Sequence, residues 1–170
     1  MNNIYNIAKA RIEKGIVTEE LNLIGEELRS EIQKKFSRSL HIREVDTGSC
    51  GACESEIISA TNPIYDIQRF GVDFVASPRH ADALLVTGPV SLNMALALKR
   101  TYDAMPSPKF VITAGDCAFD GGPFKGSYYI GGGVSKIIPV DFHVPGCPPK
   151  PIDLIKHILL AVKNTKIRER

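Results

Sequence analysis

The sequence predicts an α/β fold: an open, mostly parallel sheet with helices on both faces, preceded by an N-terminal helical extension. Two observations predict it. From residue 41 onward, short β-rich runs alternate with helical stretches, the pattern of strands joined by crossover helices. Before residue 41 there is no such alternation, only one helical period. A chain of 170 residues is long enough for one domain with a real hydrophobic core plus a short appendage. The expected division is residues 1–40 as extension and 41–170 as the α/β domain with its C-terminal helix.

The elements follow in order. Thr18, followed by Glu19 and Glu20, makes an acidic helix start. Leu21, Ile24, Leu28, Ile32 and Phe36 then recur at three- or four-residue intervals, and Lys34, Lys35 and Arg38 suit the far end of the helix dipole. Only Gly25 interrupts this stretch. Its apolar stripe either packs on its own domain or docks on a partner subunit. "HIREVD" is a strand candidate, and "ESEIISAT" a short helix stopped by Asn62-Pro63. "GVDFVAS" and "ALLVTGPV" are strand-like around the turn "PRHAD". "SLNMALALKRTYDAM" has helical spacing, with Leu92, Leu96 and Tyr102 among its apolar positions. "KFVITAGDC" reads as a buried strand. "KIIPVDFHVPGC" is strand-like, with Pro139 warning of an edge or a bulge. "PIDLIKHILLAVKN" begins with Pro151, suited to a first helical turn, and leads to a basic, frayed tail.

Composition narrows the function. The chain is 44% hydrophobic and 24% charged, with a formal net charge of +2 that is too small to argue for nucleic acid. No basic stripe with interleaved aromatics appears. The longest apolar runs, such as "IIPV" and "ILLAV", fall far short of the ~18 residues that span a bilayer, and the N-terminus lacks a signal-peptide h-region. The expectation is a cytoplasmic protein, or one held at a membrane through something else.

Four cysteines remain: Cys50, Cys53, Cys117 and Cys147. In a cytoplasmic context they read as metal ligands or catalytic thiols rather than disulfides. Cys50, Cys117 and Cys147 each follow a strand-like run. In a parallel sheet those strand ends open on one edge, where such folds bind ligands, and Cys53 is carried there by Cys50. Glycine flanks each position (Gly48, Gly51, Gly115, Gly146), which allows backbone N–H groups to approach a bulky anionic ligand. Residue chemistry favours an iron–sulfur cluster. Zinc stays open, although structural zinc sites usually show two local pairs and the last two cysteines here are single. A redox dithiol would explain Cys50 and Cys53 but leave the other two without work. "IGGGV" at 130–134 lacks the lysine of a phosphate loop, and "GGPFKGSYYIGGG" reads as a flexible loop at the site or at an interface, with Tyr128 and Tyr129 as contact residues.

"CGACESEI", "SPRHADALLVTGPV", "AGDCAFDGG" and "VPGCPPKP", in that order, resemble the small-subunit superfamily shared by [NiFe] hydrogenases and the B subunit of respiratory complex I. The similarity spans about residues 41–162. The spaced pair Cys50 and Cys53, in place of the adjacent cysteines of the complex I branch, resembles the hydrogenase pattern. The absence of cysteine after Cys147 resembles the compact small subunit of energy-converting, membrane-associated [NiFe] hydrogenases of the formate hydrogenlyase type. The resemblance implies a flavodoxin-like, doubly wound domain holding one [4Fe-4S] cluster on Cys50, Cys53, Cys117 and Cys147, with no catalytic residue of its own. It implies as partners a hydrogenase-type large subunit with the nickel–iron site, a ferredoxin-like iron–sulfur subunit and membrane subunits that hold the complex on the inner face of the cell membrane. Two readings remain beside it: a B-type subunit of a complex I-like quinone-linked or nickel-free dehydrogenase, and a zinc-stabilised α/β interaction module.

Further residues are candidates by family analogy. Glu54 would face the large subunit and pass protons or hold the interface, against the plain reading of Glu54 and Glu56 as helix N-terminal acids. Arg79 and His80 would lie near the cluster and tune it, against an ordinary turn. His41, His143 and His157 read as structural.

Overall fold

The computed structural model describes residues 18–165; the basic tail expected after them lies outside. In chain order the elements are α1 (Glu19–Phe36), β1 (Leu40–Asp46), α2 (Ala52–Ala60), β2 (Val72–Phe74), β3 (Ala83–Thr87), β4 (Val90–Ser91), α3 (Leu92–Ala104), β5 (Phe110–Ala114), α4 (Asp116–Asp120), β6 (Ile130–Gly132), β7 (Phe142–Val144) and α5 (Pro151–Asn164). Five strands form one parallel sheet in the order β2-β1-β3-β5-β7. Counted within that sheet this is the order 2-1-3-4-5, the flavodoxin-like doubly wound arrangement, in which the chain reverses direction of growth beside β1. β4 and β6 pair separately and antiparallel.

Strand alternation sends side chains to two layers. On one face Leu40, Ile42, Ala83, Leu85, Phe110 and Ile112 meet Leu28 and Ile32 of α1, Ile57 of α2 and the apolar stripe of α5. On the other, Leu84, Val86 and Val111 meet Leu98 of α3, Ala118 of α4, and Val134 and Ile138. β3 is buried at all five positions, as a strand covered on both sides must be.

The first helix packs at home. Thr18 Oγ1 accepts the Leu21 N–H, acids occupy the first turn and Lys34 and Lys35 the last. Leu28 and Ile32 are fully or almost fully buried, worth about 1.5–3 kcal/mol each. Lys35 Nζ donates to the carbonyls of Val162, Lys163 and Thr165, so the ammonium of α1 closes the C-terminal end of α5. Gly25 is a close approach rather than an interruption: a Cβ there would overlap the Phe70 ring.

Three expectations change. The strand expected over residues 136–147 is confined to Phe142–Val144; Val134–Lys136 makes a 3-10 turn, and Pro139, with no N–H to give a ladder, stays outside the strand. β7 is an edge, as a nearby proline suggests. Within residues 121–133, read as loop, lie a 3-10 turn at Gly122–Phe124 and strand β6. Of the apolar positions of α3, Leu98, Ala95 and Tyr102 pack on the core, while Leu92 and Leu96 face outward.

Candidate metal centre

Parallel strands place every strand-to-helix loop at one edge, and three of those loops carry the cysteines. β1 ends at Asp46, whose Oδ1 accepts the N–H groups of Gly48 and Ser49, both at 2.8 Å. This Asx-type turn bends the chain toward Cys50 and the start of α2. Cys53 lies in the first turn of α2 and is buried, while Cys50 is exposed. β5 ends at Ala114 and runs through Gly115 into α4, which holds Cys117 buried. β7 ends at Val144, and the next turn brings the exposed Cys147.

The second and third loops are tied together. Val144 O accepts from Gly115 N–H, Gly146 O from Asp116 N–H, and Asp116 Oδ1 from Gly146 N–H, each at 2.9 Å. Thr47 joins the first loop to β3: its buried hydroxyl donates toward Thr87 O at 2.7 Å and Gly88 O at 3.0 Å.

The two buried thiols, Cys53 and Cys117, each feel the other cysteines. Burial pushes the Cys53 thiol up to about 12, helped by the charges of Glu54, Cys117, Cys50 and Cys147. Cys117 is also raised, by burial first and then by Cys147 and Cys50, with a hydrogen bond to Cys147. Such thiols stay protonated alone and become thiolates when a cation replaces the proton. Among the described residues, no three His, Cys, Asp or Glu side chains are gathered closely enough to hold a single metal ion.

The backbone is cut close to the sulfurs. Gly115 has φ +89°, and a Cβ there would stand 2.7 Å from Cys53 Sγ. A Cβ on Gly122, at φ +47°, would stand 2.9 Å from Cys117 Sγ. Four free thiols on glycine-cleared backbone fit an all-cysteine iron–sulfur shell.

Glu54 follows Cys53 and accepts from Ser49 Oγ at 2.8 Å through Oε2, while Oε1 is buried without a partner. It lines a cavity of about 360 Å³ with Arg43, Glu44, Ile57, Ile58 and Phe74. Sequence reasoning missed Glu44, which alternation alone places on a strand. Burial, reinforced by the Glu54 charge, raises its carboxyl above the usual range, against a hydrogen bond from Thr87 Oγ1.

Arg79 and His80 are not brought to the thiols. They form the turn before β3, so they lie at the N-terminal edge of the sheet, where His80 O meets His41 Nδ1 at 3.1 Å. The cysteines lie at the opposite edge. The local pattern "SPRHAD" does not say at which end of the following strand it sits; the register of β3 does.

A doubly wound α/β domain that brings four cysteines to the C-terminal edge of its sheet defines the class: an α/β protein with a candidate metal centre at that edge. The chain belongs to the family described as NADH ubiquinone oxidoreductase, 20 Kd subunit, whose model matches residues 50–161. It is 44% identical to formate hydrogenlyase subunit 7 of Escherichia coli, over 79% of this chain and 53% of that one. It is 44% identical to the probable membrane-bound hydrogenase subunit mbhJ of Pyrococcus furiosus, over 79% of this chain and 81% of that one. It is 48% identical to the B subunit of the NADH-quinone oxidoreductase of Bacteroides thetaiotaomicron, over 72% and 63% respectively. The chain thus spans 53% of the first and 63% of the last of these relatives. Among solved structures it is similar to a chain of the membrane-bound sulfane sulfur reductase, an archaeal respiratory membrane complex, with a TM-score of 0.66 and 30% identity over 82% of this chain and 77% of that one. Among the described residues, no helix is long and apolar enough to cross a membrane.

Proposed function

We propose that this chain is the electron-transfer small subunit of a membrane-associated [NiFe] hydrogenase complex that reduces protons or oxidises hydrogen. The observation that carries the reading is the meeting of Cys50, Cys53, Cys117 and Cys147 from three loops at the C-terminal edge of one sheet. These residues would hold one [4Fe-4S] cluster. When bound, that group supplies one-electron carriage between a nickel–iron site in a large subunit and a ferredoxin-like partner.

The chain's own residues hold and shape the site. Asp116 locks the Cys117 and Cys147 loops in register, and Thr47 fixes the Cys50 loop to β3. Gly115 and Gly122 keep side-chain atoms away from Cys53 and Cys117. Ser49 orients Glu54, whose unpartnered Oε1 is set to meet a donor of the large subunit or to pass a proton there. Exposed Leu92, Leu96, Phe124, Tyr128 and Tyr129 supply apolar surface for the partner. Membrane subunits would hold the assembly on the inner face of the cell membrane. Similarity to mbhJ and to formate hydrogenlyase subunit 7 supports this reading.

A second reading, a B-type subunit of a complex I-like or nickel-free dehydrogenase, is supported by the similarity to the B subunit of NADH-quinone oxidoreductase. Metal analysis of the complex that co-purifies with this chain without oxygen separates the two. Stoichiometric nickel with iron is expected; iron without nickel would retain the cluster and replace the hydrogen chemistry with the second reading.

A further inference from the structure

A basic cavity lies at the N-terminal edge of the sheet, opposite the cysteines. It measures about 330 Å³ and is lined by Arg38, His41, Arg79, His80, Asp82 and Pro106. That volume falls at the lower end of small-molecule sites. Among the described residues Asp82 is the one carboxylate on its wall, and Asp82 is already engaged. Its two oxygens accept from the Arg38 guanidinium at 2.8 and 2.9 Å, and Oδ2 also accepts the His41 N–H at 3.0 Å. The exposed Arg79 guanidinium has no hydrogen-bond or ion-pair partner among the described residues.

We propose that this cavity binds a phosphate group, carried by a small soluble molecule or by a phospholipid headgroup. The proposal stands apart from the cluster reading, because every residue it uses lies at the other edge of the sheet.

Arg79 supplies the uncompensated charge. Its planar fork can give two parallel N–H bonds to two oxygens of one phosphate. The two imidazoles favour phosphate over carboxylate. His80 O can only accept, so His41 Nδ1, 3.1 Å away, carries the hydrogen, and Nε2 is the nitrogen left for a ligand. The exposed His80 ring brings a second such nitrogen to the wall. A neutral Nε2 accepts from a P–OH, and a charged ring donates to a bare oxygen. A phosphate monoester loses its second proton near about pH 6 and so offers both, where a carboxylate offers bare oxygens alone. Recognition falls to side chains, since the turn's own N–H groups are spent: Arg79 N–H on Ser77 Oγ, His80 N–H on Ser77 O and Ala81 N–H on Pro78 O. The negative end of the α3 dipole, beside Pro106, is answered by Lys109 Nζ, which donates to the carbonyls of Tyr102 and Met105.

The test uses the anaerobically purified complex containing the full chain. Modification of Arg79 by phenylglyoxal is followed by peptide mass spectrometry, with Arg29, exposed on α1, as the reference. Arg79 is expected to react in chloride. Inorganic phosphate at the same ionic strength, or vesicles of phosphatidylcholine with phosphatidic acid, should slow Arg79 severalfold and leave Arg29 unchanged, whereas phosphatidylcholine alone should not. Protection by free phosphate identifies a soluble ligand, and protection by the phosphatidic acid vesicles alone identifies a headgroup. The His80 ring has no hydrogen bond among the described residues, so His80→Ala spares the fold. His80→Ala and His41→Gln should each raise the concentration of phosphate or phosphatidic acid needed for half-protection about tenfold, the loss of one hydrogen bond to a charged group. An Arg79 that is unreactive in chloride, protection by neither probe, equal slowing of Arg29, or protection unchanged in both histidine variants would overturn the proposal.

Discussion

Gly115→Ala isolates the demand the site makes on the backbone. At φ +89° and ψ 153° Gly115 occupies a region that side-chain-bearing residues avoid, at a cost of about 1–3 kcal/mol. For a chain of this size about 1 kcal/mol is about 2–4 °C in Tm, so the backbone alone predicts a loss of about 2–12 °C. The new methyl would also stand 2.7 Å from Cys53 Sγ. Ordinary contact requires the sulfur to move by about 1 Å, beyond the about 0.5 Å within which a site tolerates displacement. Gly126→Ala is the control: φ is +88° and no atom lies within 4 Å of its new Cβ, so it carries strain without collision. Both variants are compared by thermal unfolding and by iron content after anaerobic purification. Both should lose stability, but only Gly115→Ala should lose most of its iron. Equal iron in the two would refute the claim that Gly115 clears space for Cys53.

Leu28→Ala, at a fully buried position of α1, should cost about 3 kcal/mol and lower the single unfolding transition by about 6–12 °C. A negligible shift would mean that α1 is not part of the cooperative unit. Glu44 has its folded pKa raised above the unfolded value, so its ionisation costs stability as pH rises through the carboxylate range. Glu44→Gln should therefore raise Tm at pH 7 by about 1–3 °C, and the gain should vanish below about pH 4, where both forms are neutral. Arg79→Ala, at the opposite sheet edge, should leave iron content and midpoint potential unchanged; a shifted potential would contradict its placement.

Much of the architecture was legible because the signals are local. Thr18 and the acids after it mark the start of α1, Pro151 the start of α5, and continuous apolar runs the central strands. The convergence of the cysteines was legible at one remove, since parallel strands must open their loops on one edge. What stayed hidden depends on register. The turn holding Arg79 and His80 carries no mark of which strand end it borders. Leu92 and Leu96 lie on the face of α3 opposite Ala95, Leu98 and Tyr102, and the helical period alone does not say which of the two faces meets the sheet. Glu44 and His143 are ordinary strand residues in the sequence. Only the neighbours that folding supplies, Glu54 for one and Thr113, Phe119 and Asp116 for the other, make them chemically distinct.

The most direct test of the central claim is iron and acid-labile sulfide per chain in the anaerobically purified full-length protein, wild type beside Cys50→Ser, Cys53→Ser, Cys117→Ser and Cys147→Ser. About four iron and about four sulfide are expected in the wild type, with a large loss in each variant. One zinc without sulfide, or iron retained in every single-cysteine variant, would contradict the account.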